Sequence, residues 1–130
     1  MLIKVSMEDV LGYLQAAPII ESQTIPLSGA YKLNKIRKQI ENESTYYSEK
    51  FREIVNKYAV KDADGNWTYT DETQDNIAIQ PDMVEQCNKE IAELNGIEVE
   101  INNYDLMIDN FGDIQISADE LGALMPFLNE

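Results

Sequence analysis

The chain has 130 residues, of which 44% are apolar and 26% charged, ordinary globular usage that excludes wholesale disorder, collagen-like repeats and low-complexity polymers. The charge balance is the outlier: 10 basic against 24 acidic side chains give a net charge of −14, and histidine is absent. Such a balance argues against direct binding to nucleic acid, whose phosphates ask for a basic face, and against docking on an anionic membrane leaflet.

In chain order, residues 2–5 alternate weakly and read as a short edge strand. Ser6 with Asp9 reads as a helix start, the Ser oxygen capping free backbone N–H groups and the acid lying near the positive helix end. Val10, Leu11 and Leu14 share one face of a short helix, which Ala16-Ala17-Pro18 is expected to end. Residues 18–25 read as an extended connection. The longest signal follows: Leu33, Ile36, Ile40, Ser44, Tyr47, Phe51, Ile54 and Tyr58 stand 3, 4, 4, 3, 4, 3 and 4 residues apart. That period is an amphipathic helix stripe. No Gly or Pro interrupts residues 30–59, and the start falls between 26 and 30, where Pro26 suits a first turn and Gly29 weakens it. At about 1.5 Å per residue the helix is roughly 45 Å long.

Residues 61–80 break the helical period. Asp64-Gly65 signals a tight turn, Trp67 and Tyr69 alternate beside it, and Ile77 and Ile79 follow, so a small ribbon or ordered loop is expected. Pro81-Asp82 opens a second helix with the stripe Val84, Cys87, Ile91 and Leu94, stopped by Asn95-Gly96. The matching periods predict antiparallel packing on the C-terminal half of the long helix. Beyond it the alternation of Ile97, Val99 and Ile101, then of Tyr104, Leu106 and Ile108, then of Ile114 and Ile116, predicts three short strands. Ser117-Ala118-Asp119-Glu120 is a capping box opening a last short helix, with Leu121, Leu124 and Met125 inside and Pro126 at its end. One domain over residues 1–130 is expected, of class α+β: a long helix and an antiparallel shorter helix joined by a β-ribbon, with a small antiparallel sheet and short terminal helices.

Charge is segregated along the chain. Residues 32–61 hold eight of the ten basic side chains against four acids, net +4, whereas residues 62–130 carry 17 acids and one base, net −16. The acidic stretch reads either as a solvated surface that keeps a small protein soluble or as a partner surface that attracts a basic protein groove. Its candidate contact residues are Glu98, Glu100, Asp105 and Asp109. Trp67 and Tyr69 are candidate aromatic anchors for a protein partner, or else fold back over the helix pair as a local core.

Chemistry of other kinds finds little support. Without histidine there are no imidazole triads, and most zinc sites are lost. No glycine-rich phosphate loop occurs. Asp62, Asp64 and Asn66 have calcium-loop spacing, but Trp67 stands where such a loop needs glycine and Thr73 where it needs a bidentate Glu, so a polar turn is expected. The lone Cys87 lies on an apolar stripe and reads as a buried thiol. Neither an enzyme nor a cofactor or metal is expected. One cysteine allows no disulfide within the chain, and no apolar run approaches the roughly 20 residues of a membrane span. Residues 1–9 lack a basic region followed by an apolar core, so a cytosolic location is expected.

Several segments resemble a family of small acidic proteins of tailed bacteriophages and prophages, a family of unknown function. They are Leu27-Ser28-Gly29-Ala30-Tyr31-Lys32-Leu33, the helix exit Lys57-Tyr58-Ala59-Val60-Lys61-Asp62-Ala63-Asp64-Gly65-Asn66, Glu98-Val99-Glu100-Ile101, and Leu121-Gly122-Ala123-Leu124-Met125-Pro126-Phe127-Leu128. The resemblance implies a phage origin, hence a host-cell cytoplasm, and supplies no catalytic residues. With the charge pattern it leads to the expectation of a non-enzymatic accessory protein. Such a protein would bind and modulate, in the inhibitory sense, a host nucleic-acid-handling or defence protein with a basic surface, touching neither nucleic acid nor membrane itself. The alternative is a virion or assembly component acting through contacts with itself or a neighbouring phage protein; a small-ligand sequestering role is a third, weaker option.

Overall fold

Residues 1–70 and 76–129 are described by the computed structural model of the chain; they fall into two units, Met1–Thr45 with Gly96–Glu130, and Tyr46–Asn95. The fold class is α+β. In the first unit, strand β1 (Leu2–Ser6) leads directly into helix α1 (Met7–Glu21). The switch is made at Ser6, whose Oγ accepts from the Asp9 N–H at 3.1 Å while the Asp9 carboxylate accepts from the Ser6 N–H at 3.1 Å. Two otherwise free donors of the first turn are thereby satisfied.

Contrary to the expectation that Ala16-Ala17-Pro18 ends it and that residues 18–25 are extended, helix α1 runs through Pro18 to Glu21. A proline there costs one i→i−4 bond and crowds the preceding turn, but its ring faces solvent while Ala17 and Ile20 on the same turn are buried. Continued burial of the stripe Val10, Tyr13, Ala17 and Ile20 outweighs the lost bond. Leu11 and Leu14, expected on that face, are only half-buried.

Helix α2 (Leu27–Tyr58) has the expected extent. Its residues through Thr45 belong to the first unit, where Leu33, Ile36 and Ile40 are buried. Gly29 is also buried, with the Asn110 backbone so close that a Cβ there would collide with its carbonyl oxygen. The sheet of this unit has two antiparallel strands, β1 and β2 (Glu98–Asn102), in the register Leu2↔Asn102 to Ser6↔Glu98. Val99 and Ile101 point into the core and Glu98 and Glu100 to solvent, the period-2 alternation of a one-sided sheet.

The strands expected around 104–108 and 114–116 do not form. Tyr104 and Asp105 both have positive φ, 52° and 56°, a double left-handed turn that no strand accommodates. Asn102 and Asn103 stabilise it, their Oδ1 atoms accepting from the N–H groups of Tyr104 (2.9 Å) and Asp105 (3.0 Å). A 3-10 turn, Ile108–Phe111, follows, so only Leu106 and Phe111 of this stretch reach the core. Asn103, fully buried, donates to Phe127 O at 3.2 Å and Asn129 Oδ1 at 2.7 Å, tying the turn to the end of the chain. Helix α4 (Ala118–Leu124), capped by Ser117 Oγ accepting from Glu120 N–H at 3.1 Å, packs on α1 and runs into a last 3-10 turn, Met125–Phe127. Phe127 meets Tyr13 edge to face, with ring centres 5.5 Å apart. Met125, expected inside, is 59% exposed.

In the second unit the last turns of α2 bury Val55 and Tyr58, with Tyr47, Phe51 and Ile54 half-buried. The chain leaves α2 through the expected ribbon: Ala59, Lys61 and Tyr69 pair antiparallel with Ile79, Trp67 and Ile77. Val60 donates to Ala78 O (2.9 Å) and accepts from Thr68 N–H (3.0 Å), so three extended pieces interlock around it. A 3-10 turn, Pro81–Met83, then feeds helix α3 (Val84–Asn95), whose Glu90 pairs with Lys57 of α2 at 3.1 Å. Cys87 and Leu94 are buried as the stripe requires; Val84 stays 42% exposed.

Candidate protein-interaction surface

Strand β2 fixes two of the four candidate acids. Glu98 and Glu100 stand on its solvent face, Glu100 opposite Lys4 on β1, and neither carboxylate enters an ion pair among the described residues. Asp109, in the 3-10 turn, is likewise exposed. Asp105 is different. Its carboxylate accepts from Asn129 Nδ2 at 3.3 Å and pairs with the Met1 ammonium at 3.5 Å. The Asn129 hydrogen bond first, and then the ammonium charge, hold the Asp105 carboxyl below the usual aspartate range. So the structure leaves Glu98, Glu100 and Asp109 open to a partner and employs Asp105 in joining the two ends of the first unit.

Trp67 sits where the ribbon crosses the flank of α2. Its Nε1–H donates to Asn56 Oδ1 at 3.1 Å, and the Arg52 guanidinium lies 5.5 Å from the ring centre, a cation–π arrangement. The indole is half-buried and Tyr69 is 39% exposed. With Arg52, Asn56, Gly65 and Asn66 the two rings line an open depression of about 450 Å³. Trp67 therefore folds back on its own helix, and Tyr69 is the aromatic side chain left facing outward.

The Asp62 carboxylate is used in turn-making: its Oδ1 accepts from the N–H groups of Asp64 (2.9 Å) and Asn66 (3.0 Å), and Gly65 takes φ 81°. Thr73 lies outside the described residues. No three His, Cys, Asp or Glu side chains among the described residues approach closely enough to share a metal ion. Burial, and then the Glu90 charge, push the Cys87 thiol up, so it stays protonated at neutral pH. The Tyr58 hydroxyl and the Lys57 ammonium hold the Glu90 carboxyl below its usual range.

One feature of the first unit was not foreseen from sequence: an apolar groove lined by residues between Ile108 and Leu124. Ile114 and Ile116, whose alternation predicts a strand, instead line this groove. Among the described residues no helix is long and apolar enough to cross a membrane. Comparisons with protein families, with curated proteins and with solved structures find no match.

Proposed function

We propose that this chain is a non-enzymatic binding protein that presents carboxylates to a basic surface of another protein, one built to handle nucleic acid. The observation that carries the reading is the outer face of β2 together with the 3-10 turn Ile108–Phe111. Glu98, Glu100 and Asp109 stand exposed and unpaired among the described residues, in a stretch, residues 96–130, with eight acids and no base. Fixed carboxylates on a rigid strand can occupy a groove meant for phosphates, and like charge keeps nucleic acid itself away. The resemblance to small acidic phage proteins fits such an accessory role, in which the partner is a host protein and the site of action is the host cytoplasm.

The test is capture from host lysate on the immobilised chain at low salt, followed by competition with DNA. The expected partner is basic, is displaced by DNA, and is lost at high salt. The triple variant Glu98→Gln, Glu100→Gln, Asp109→Asn should slow association about tenfold, because long-range attraction acts mainly on the on-rate. A captured protein that binds the variant equally well and ignores DNA would contradict the proposal.

A further inference from the structure

The groove in the first unit holds about 460 Å³. Phe111 and Leu124, both buried, form its floor, and Ile108, Ile114, Ile116 and Leu121 form its sides. Ile108 is 59% exposed. Gln115 is the one polar side chain in the lining. A site for a small polar molecule needs several convergent polar groups to orient it, and one amide does not provide them. The apolar surface continues nearby: Pro26 lies against Gly112 in the groove wall, and Leu27, the next residue, is 85% exposed.

The chain immediately around the groove is acidic. Asp109 follows Ile108, Asp113 separates Gly112 from Ile114, and Asp119 with Glu120 precedes Leu121. Oε2 of Glu120 is buried and accepts no hydrogen bond among the described residues. A carboxylate oxygen out of water without a donor is costly, and positive charge brought up to this end of the groove would offset part of that cost through its field.

We propose that this groove receives an amphipathic basic helix of the partner protein. Apolar side chains at i, i+3, i+4 and i+7 would enter the groove, and flanking Lys or Arg would meet Asp109, Asp113, Asp119 and Glu120. A strand suits the site less well, because its cations would point opposite to its apolar residues and away from the carboxylates. A second copy of this chain is electrostatically disfavoured, since the unit that would dock carries 13 acids against five bases. This inference rests on the acidic-surface reading and adds where, and in what conformation, the partner binds.

Two synthetic peptides of about 18 residues, long enough to hold a helix, separate the two claims. Both contain the same Leu and Lys residues; one places Leu at helical spacing, the other disperses it. By calorimetry the amphipathic peptide should bind at least about tenfold more tightly than its isomer. Ile108→Asn, an exposed substitution that leaves the floor intact, should erase that difference while keeping the weak, salt-sensitive binding of the isomer. Equal affinity for both peptides, or a preference untouched by Ile108→Asn, overturns the groove and leaves the acidic surface standing. Binding of neither peptide at low salt overturns both. Sedimentation showing a dimer that Ile108→Asn dissolves would assign the groove to a second copy and likewise overturn the proposal.

Discussion

Gln39 behaves toward β2 as a further strand would. Its Nε2 donates to Asn102 O at 2.8 Å and its Oε1 accepts from Asn102 N–H at 2.9 Å, so one side chain from α2 satisfies a backbone donor and acceptor where the strand ends. Gln39→Ala should cost about 1–3 kcal/mol by denaturant unfolding, the penalty for orphaning part-buried backbone groups. Gln39→Glu, which keeps only the acceptor half, should fall between. Gly29→Ala should cost at least as much, since the new methyl meets the Asn110 backbone rather than a side chain that can swing aside. Asp105 supplies a pH signature. A carboxyl held below its ordinary value stabilises the fold above the unfolded-state pKa, about 3.9; that stability disappears as pH falls through the lower folded value. Asn129→Ala should raise the midpoint at which the Asp105 carboxyl titrates by NMR and flatten the acid limb of the stability curve. An unmoved midpoint would show that Asn129 does not set this pKa.

Elements differ in how far the sequence discloses them, for identifiable reasons. Local chemistry was readable: Ser6 and Ser117 cap the helices they were expected to cap, and the long stripe from Leu33 to Tyr58 forms one helix. Competition between local and tertiary terms was not. Pro18 has a local penalty that buried Ile20 outweighs, a balance visible only once the core exists. Two local terms compete after β2: Tyr104, Leu106 and Ile108 alternate like a strand, yet Asn102 and Asn103, each bonding the N–H two residues on, draw the backbone into a left-handed turn. The acids Glu98 and Glu100 could be placed on a face from their spacing alone. The engagement of Asp105 with Asn129 could not, because the two are joined only by tertiary folding. Within the second unit, Trp67→Phe should cost about 1 kcal/mol, the worth of the indole bond to Asn56. Since Trp67 is the chain's only tryptophan, Asn56→Ala should be detectable as a red shift of the intrinsic fluorescence.

Over the whole molecule, a net charge of −14 makes salt act in opposite directions on two observables. Screening shortens the Debye length from about 30 Å at 0.01 M to about 8 Å at 0.15 M. Self-repulsion within the folded chain weakens, so thermal stability should rise with added salt, while attraction to a basic partner weakens, so binding should fall. A chain whose acids serve only solubility shows the first effect without the second. The most direct measurement is carboxyl footprinting: carbodiimide labelling read by mass spectrometry, on the chain alone and after capture of its partner. The account predicts that Glu98, Glu100 and Asp109 become protected at low salt and regain reactivity at high salt, with Asp64 in the ribbon turn unchanged throughout. A captured complex in which those three carboxylates label as freely as in the isolated chain would contradict it.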